Sequence, residues 1–378
     1  MAPRNHPVLH FVRRKAEAAA GDPHQRRRAR CLDCDAGKLG FRVELPVGPF
    51  DDQQTNEYKE RGDYEGFHYG LSSYKLKVIK RLPHPKESNC ARYMWQRPSI
   101  IASCAVDGRV LLYDLDAPGI CEGPEVSLVG NRGEVTCLSW NPHREGQLVS
   151  CASEGSWVLY DAAAALQQKG NTPGSLKHEG AASFNSCAWT EGDAFVLAQE
   201  DGVVSLWDIR EPPTKPLGTV TCKGGAANCV ATTPLKPEVF TCGSDDGSLG
   251  VYDRRRLGPA LHAVEGFAAL GLSSISFSFF SPSLLLAASK DKYISLLDLE
   301  KAGQDQDPED AEDGPPELLF THGGHRADIY DACWNCEEKF PQMVASVAND
   351  NRLHIWQPKG SVFFDSDSEE EEDPDQLE

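Results

Sequence analysis

The residues best suited to metal chemistry are few and scattered in this 378-residue sequence. Two C-x-x-C pairs, Cys31 with Cys34 and Cys333 with Cys336, have the spacing from which a four-cysteine zinc site is built. Cys333, however, stands beside a tryptophan in a strand pattern where other cysteines recur, and a free cysteine packs well as a small hydrophobe. The sequence therefore predicts neither a metal site nor a cofactor.

One histidine has a spacing that suits a structural task. His325 ends a Gly-Gly-His turn, and Asp331 follows six residues later. A histidine and an aspartate so placed can pin a turn to a neighbouring strand through hydrogen bonds. The chain contains no nucleophile elbow, no phosphate-binding G-x-x-x-x-G-K-[ST] loop and no H-E-x-x-H pair. We expect a protein that is not an enzyme.

Acidic residues form the strongest charge pattern, and the formal net charge is -19. Residues 304–317 contain seven acids and no base, and residues 365–378 contain nine acids and no base. The first segment is predicted to be either a solvated insertion or one stiffened by its Pro-Pro pair, and the second a disordered tail. Ser366 and Ser368 precede acids at a spacing that predicts phosphorylation. The acidity predicts basic partners and argues against sequence-specific binding of nucleic acid.

Basic residues crowd near the other end of the chain, at Arg13, Arg14 and Lys15 and again within residues 26–30. This arm suits a nuclear import signal, a contact to nucleic acid or a solvated leader, and the sequence leaves the three open. No apolar run approaches the roughly 18 residues of a membrane span, so no membrane partner is expected. The 13 cysteines are interpreted as reduced thiols.

Short strand-like runs recur along the chain, and each ends in an apolar residue followed by a polar one. These runs end at Asp114, Asp161, Asp208, Asp253, Asp298 and Gln357. The first four intervals are 47, 47, 45 and 45 residues and the fifth is 59, which fits the roughly 40–45 residues of a propeller blade with one insertion. A small-residue strand and a turn precede each run, and an inner strand that mixes small and aromatic residues lies further upstream.

Six units are clear, and the residues before position 90 must supply the rest of a ring. Alternating polarity around Val43 and Val78 predicts two strands, and residues 7–12 could form a strand that closes the ring. The fold class is therefore all-β, a seven-bladed WD-repeat β-propeller. We place the propeller at residues 41–358, a basic arm at 1–40 and the acidic tail at 359–378.

One stretch carries a specific family resemblance. Residues 307–325, DPEDAEDGPPELLFTHGGH, resemble the acidic Pro-Pro loop and the following strand of the retinoblastoma-binding histone chaperones, the MSI-like WD-repeat family. Segments beginning at Asn89, Leu138 and Trp207 are similar to that family in the same order. The resemblance covers about residues 41–357.

The resemblance implies a function and a site. Members of this family are nuclear seven-bladed propellers that bind histones H3 and H4, and they serve as subunits of chromatin assembly, deacetylase, remodelling and methyltransferase complexes. It implies that Asp310 and Asp313, with Glu312 between them, hold an arginine of a histone H4 helix. Leu319 and Phe320 would form the apolar floor beside them. A planar guanidinium takes paired hydrogen bonds from carboxylates, so this chemistry is reasonable.

Two departures from the family's pattern stand beside this resemblance. Gly21 and Pro23 interrupt any long N-terminal helix, which forms the second wall of the histone H4 groove in the family. The family's channel-face acids are largely replaced, although Glu134 and Asp328 remain as candidates for binding a basic peptide. The acids are replaced at Asn185, Ala226, Ser274 and Asn349, and Ser276 stands where the family carries an aromatic residue. The alternative function is therefore a WD-repeat scaffold without histone binding.

Overall fold

The computed structural model describes residues 39–44, 77–85, 87–117, 123–168, 170–306, 310–336, 338, 340–359 and 362–363. Within this part of the chain the structure is almost entirely β. The first two strands, β1 (Leu39–Glu44) and β2 (Lys77–Leu82), pair antiparallel with each other. They are the two strands predicted around Val43 and Val78. The ring-closing strand predicted at residues 7–12 lies outside the described residues.

Six further sheets are described after β2, and their strands follow one another along the chain. They are β3 (Ala91–Tyr93), β4 (Ile100–Cys104), β5 (Val110–Asp114), β6 (Val126–Val129), β7 (Val135–Trp140), β8 (Gln147–Ala152), β9 (Ser156–Asp161), β10 (Gly170–Pro173), β11 (Leu176–Glu179), β12 (Phe184–Trp189), β13 (Ala194–Gln199), β14 (Val203–Asp208), β15 (Gly218–Thr221), β16 (Ala227–Thr232), β17 (Val239–Ser244), β18 (Leu249–Asp253), β19 (His262–Val264), β20 (Leu272–Phe277), β21 (Leu284–Ser289), β22 (Ile294–Asp298), β23 (Leu318–His322), β24 (Ile329–Trp334), β25 (Val344–Ala348) and β26 (Leu353–Trp356). A short helix, α1 (Ala162–Gln168), follows β9, and two 3-10 turns span Leu299–Lys301 and Asp310–Glu312.

The sheets repeat one antiparallel plan. Sheet 1 holds β3 to β6, with β10 added in parallel at its edge, and sheet 2 holds β7, β8, β9 and β11. Sheets 3, 4 and 5 each hold four consecutive strands, β12–β15, β16–β19 and β20–β23, and sheet 6 holds β24–β26. The six runs identified by their spacing are the third strands of these six sheets.

Neighbouring sheets are joined through their first strands, which we call inner strands. The indole Nε1 of Trp140 donates to the carbonyl of Arg92 at 2.9 Å, and Trp189 does the same to Ser139 of the preceding sheet. Arg92 of sheet 1 also reaches Asp331 of sheet 6 at 3.0 Å, although 239 residues separate them. The chain is thus an all-β WD-repeat β-propeller, as the sequence predicted, and the count of seven blades stays a prediction.

The recurring aspartate at the end of the third strand in sheets 1 to 5 has a local structural cause. Asp114 accepts a hydrogen bond from the backbone amide two residues on, at 3.0 Å, and Asp208 and Asp253 do so at 2.9 and 2.8 Å. A short side-chain acceptor replaces a backbone partner where the strand turns out of the sheet. The aspartate therefore ends the strand, which is why it recurs at the period of the sheet.

The turns between second and third strands need a positive φ, which residues with a Cβ adopt only at a steric cost. Gly108 and Gly247 occupy these turns with φ of 87° and 89°, a conformation that glycine adopts without steric cost. In sheets 5 and 6 the same place is held by Lys292 and Asn351, with φ of 81° and 69°. The Asp-Gly turns in the sequence thus mark real turns, and the last two sheets form them under strain.

Candidate protein-docking surfaces

The direction of the strands defines two faces of the ring. Asn89 and Glu134 precede the inner strands of sheets 1 and 2 and are hydrogen bonded to each other at 2.6 Å. We call the face where inner strands begin the upper face, and the face where they end the lower face. Trp95 and Phe279 follow the inner strands of sheets 1 and 5, and their rings meet with centroids 5.0 Å apart on the lower face.

The predicted acidic insertion connects β22 to β23 on the lower face, because third strands run in the same direction as inner strands. Its residues 307–309 and the side chain of Asp310 lie outside the described part, although the Asp310 backbone begins a 3-10 turn. Glu312 and Asp313, next along the loop, are exposed. Two of the three acids predicted to bind histone thus face solvent.

One acid of this insertion is buried. The Glu317 side chain is 3% exposed, and its carboxylate is paired with the His262 imidazole of β19 in the neighbouring sheet. Its backbone carbonyl accepts the amide of Asp298 at 2.8 Å. The C-terminal end of the acidic loop is therefore fixed to two sheets, and sequence reasoning, which counted all seven acids as one solvated run, missed this anchor.

Leu319 and Phe320, the predicted apolar floor, lie in β23 and are half-buried. Both pack against the core cluster shared by sheets 5 and 6, and the Phe320 ring lies 6.0 Å from that of Trp356. Val362 and Phe363, which follow the last strand, pack against the same cluster. The apolar surface beside the acidic loop is present, and part of it already contacts residues of this chain.

The two predicted channel acids lie on the upper face, each directly before an inner strand. Glu134 is half-buried and accepts a hydrogen bond from Asn89, while Asp328 is exposed. Of the positions predicted to have lost charge, Asn185 donates to the carbonyl of Ala227 at 2.9 Å. This amide therefore joins neighbouring inner strands.

The channel nevertheless contains a charged pair that sequence reasoning missed. Asp331 accepts from Arg92 at 3.0 Å and from the Ser274 hydroxyl at 2.8 Å. The Asp331 carboxylate raises the pKa of Arg92. The two side chains are 41% and 29% exposed, so water screens the pair. Ser274, at a position predicted to lack charge, thus donates a hydrogen bond to the carboxylate of Asp331 on the next sheet.

The predicted pairing of His325 with Asp331 is wrong. The His325 Nδ1 faces Asp350 at 3.4 Å, and its Nε2 lies 2.8 Å from the hydroxyl of Ser346, to which the indole of Trp356 also donates. Asp350 lies in the turn between β25 and β26, so strand register places it beside the imidazole. The structural role predicted for His325 is confirmed with this different partner.

This hydrogen-bonded group recurs with changed residues in other sheets. In sheet 2, Asn131 stands for the histidine, and it bonds Ser150 at 2.9 Å and the Tyr160 hydroxyl at 3.0 Å. In sheet 4 the thiols of Cys222 and Cys242 take the places of histidine and serine, with their sulphur atoms 3.0 Å apart. The substitutions explain why a search for Gly-His alone identified a single sheet.

An aromatic patch on the lower face is the second feature that sequence reasoning missed. Trp95 is 41% exposed and Phe280 is 43% exposed, and the rings of Tyr93 and Phe279 continue the patch inward. Exposed aromatic groups at the mouth of a ring suit a partner side chain that needs an apolar anchor. The sequence placed these residues in inner-strand segments without indicating which side they face.

Several predictions fall on residues that the structure does not describe. They are the basic arm, the phosphorylation of Ser366 and Ser368, and the Cys31 and Cys34 half of the paired C-x-x-C spacing. Of the other half, Cys333 is half-buried and Cys336 is exposed. Burial raises the pKa of the Cys333 thiol to about 12, which suits a packed thiol.

Comparison with known families adds one finding. A family model described as WD domain, G-beta repeat matches residues 316–357. The match spans β23 to β26 and contains His325, Ser346, Asp350 and Trp356, the complete hydrogen-bonded group. It supports a WD-repeat protein that acts as an interaction scaffold. Among the helices of the described residues, none is long and apolar enough to cross a membrane.

Proposed function

We propose that this WD-repeat propeller is a nuclear scaffold that binds histones H3 and H4, chiefly H4, as a subunit of chromatin assembly, remodelling or histone-modifying complexes. The observation that carries the proposal is the anchored acidic loop. Glu312 and Asp313 are exposed, while Glu317, a few residues on, is buried and paired with His262. The exposed acids thus project from a fixed base.

A fixed carboxylate binds a cation better than a tethered one, because less conformational entropy is lost when the complex forms. An arginine of the partner would take charge-assisted hydrogen bonds from Asp310 and Asp313. Apolar side chains of the same histone helix would lie against the exposed parts of Leu319 and Phe320. The net charge of -19 would speed the encounter with a basic partner.

A test compares the wild type with the double variant Asp310→Lys and Asp313→Lys by calorimetry at near-physiological salt. The ligands are the H3/H4 pair and a peptide of the first helix of H4. The matched control is Glu145→Lys with Glu265→Lys, two exposed acids elsewhere on the ring with the same change in charge. The loop variant is expected to lose about 2–5 kcal/mol of binding free energy, as for other truncated charge pairs.

The control separates a local contact from general attraction, because both variants raise the net charge equally. Equal weakening by both would mean that the loop is not the site. Binding that neither variant changes would also contradict the proposal. Thermal unfolding checks that all three proteins are folded, and their unfolding temperatures should be alike.

The second candidate is a scaffold that docks other proteins, and the aromatic patch of Trp95 and Phe280 favours it. Its partner would insert an apolar side chain at the mouth of the channel. The variants Trp95→Ala and Phe280→Ala separate the candidates. If these two variants abolish partner binding and the lysine variant leaves it intact, the docking function belongs to the patch.

A further inference from the structure

Three histidines of sheets 5 and 6 meet on the upper face, away from the acidic loop. The Nε2 of His322, at the end of β23, lies 3.4 Å from the Nδ1 of His354 in β26. Their rings are nearly perpendicular, at 87°. One ring nitrogen from each of these two and from His325 lies within 4.8 Å of the others.

A small space lies beside the two facing nitrogens because residue 324 is a glycine. A Cβ at Gly324 would lie 2.8 Å from the Nε2 of His322 and 3.1 Å from the Nδ1 of His354. The only other atom at such a distance is the Cε1 of His322, at 3.0 Å, so both nitrogens border the same small space. A side chain there would fill it, and a glycine leaves it empty.

Each imidazole is held in place by stacking. His322 lies parallel to Trp356, with centroids 4.2 Å apart and planes at 7°. His354 lies parallel to His325, at 3.9 Å and 11°. The nitrogens of His325 are already engaged by Ser346 and Asp350. His325 therefore packs against one side of the His354 ring. His322 and His354 are the pair that faces the space.

Burial favours the neutral form of all three imidazoles. Burial, with the neighbouring His354 and His325, lowers the pKa of His322 to about 4. Burial likewise lowers the pKa of His325 to about 4, and it lowers that of His354, where Asp350 and Arg352 act in opposite directions. A neutral imidazole offers a lone pair to a metal ion.

We propose that the Nε2 of His322 and the Nδ1 of His354 bind one divalent late first-row transition-metal ion such as Zn²⁺, with water completing its coordination. The two nitrogens are 3.4 Å apart. An ion about 2.1 Å from each of them would therefore have an N–metal–N angle of about 108°, which is close to tetrahedral. Each ring would then carry its proton on the other nitrogen. Two imidazoles suit zinc, copper and nickel better than calcium or magnesium.

The test titrates ZnCl₂ into the full chain after dialysis against a chelator, and follows binding by calorimetry. His354→Gln removes one ligand. Gly324→Ala keeps both imidazoles but places a methyl carbon 2.8 Å from the Nε2 of His322, so it crowds the space and displaces that ring. His178→Gln is the matched control, because His178 is a half-buried histidine that packs against Trp207 elsewhere in the ring.

The wild type and the control are expected to bind one more Zn²⁺ per chain than the other two variants, or to bind it at least about tenfold more tightly. Zn²⁺ should also raise the unfolding temperature of the wild type and the control alone. Zinc that binds elsewhere on the acidic chain contributes to all of these proteins alike, so it cancels in the comparison between variants. If His354→Gln fails to fold, the comparison between Gly324→Ala and the wild type tests the proposal. Zinc binding by Gly324→Ala that equals that of the wild type would overturn it.

Discussion

Replacing His262 with alanine is expected to destabilise the propeller, because it removes the partner of a buried carboxylate. The Glu317 side chain is 3% exposed, while His262, which covers it, is 32% exposed. A carboxylate left without its partner at such a position loses its hydrogen bond and is too deep to be fully hydrated. The pair also joins the base of the acidic loop to sheet 4, so the change reaches the proposed docking surface.

The size of the effect follows from the two exposures. Removing one member of a fully buried ion pair costs about 3–5 kcal/mol. Water can enter the place of the half-exposed imidazole, so we expect His262→Ala to cost about 2–3 kcal/mol. The unfolding temperature should fall by roughly 5–10 °C, since 1 kcal/mol corresponds to about 2–4 °C in domains of 150–250 residues.

The assay is urea unfolding followed by tryptophan fluorescence at pH 7.5. The double variant His262→Ala with Glu317→Gln should be more stable than His262→Ala alone, because it removes the unpartnered charge. His143→Ala, in which the replaced side chain is exposed, is the control and should match the wild type. A cost below about 0.5 kcal/mol for His262→Ala, the range of ordinary surface changes, would refute the reasoning, as would purely additive effects in the double variant.

Two further predictions concern the turns and the thiol pair. Lys292→Gly should raise the free energy of unfolding by about 1 kcal/mol, because residue 292 is exposed and its φ is 81°; a loss of stability on urea unfolding would contradict the strain. A mild oxidant such as diamide should join Cys222 to Cys242, whose sulphur atoms are 3.0 Å apart. The protein would lose the mass of two hydrogen atoms, which diamide takes up, and Cys242→Ser should prevent this loss. The Cys242 thiol lowers the pKa of Cys222 to about 7, so the thiolate is depleted as the pH falls through that value. The reaction should therefore be about tenfold slower at pH 6 than at pH 8.

The fold could be predicted because its signals are local. The aspartates that end third strands bond an amide two residues away, or three in the case of Asp161, and the turn glycines are needed for their own φ. Such features repeat wherever the sheet repeats, so their spacing reports the architecture. The strands around Val43 and Val78 followed from alternation in the same way. The number of blades depends on residues before position 90, where that spacing is lost.

The site could be predicted only in part, because its decisive contacts join distant segments. Exposure of Glu312 and Asp313 is what a run of acids suggests, yet the burial of Glu317 depends on His262, 55 residues earlier. The partner of His325 was misassigned for a related reason. Asp331 is nearer in sequence, but the hairpin of β25 and β26 brings Asp350 to the imidazole. Distance along the chain does not report which strand face a side chain occupies.

Strand direction adds a constraint on the partner. Inner and third strands end on the lower face, so the acidic loop after β22 and the aromatic patch of Trp95 and Phe280 share that face. Glu134 and Asp328 precede inner strands and lie on the upper face. A histone helix held by Asp313 could therefore also reach the patch, whereas a basic peptide at Glu134 would occupy a separate surface. A partner contacting loop and patch together should lose affinity in both the lysine variant and Trp95→Ala, and an upper-face peptide should be affected by neither.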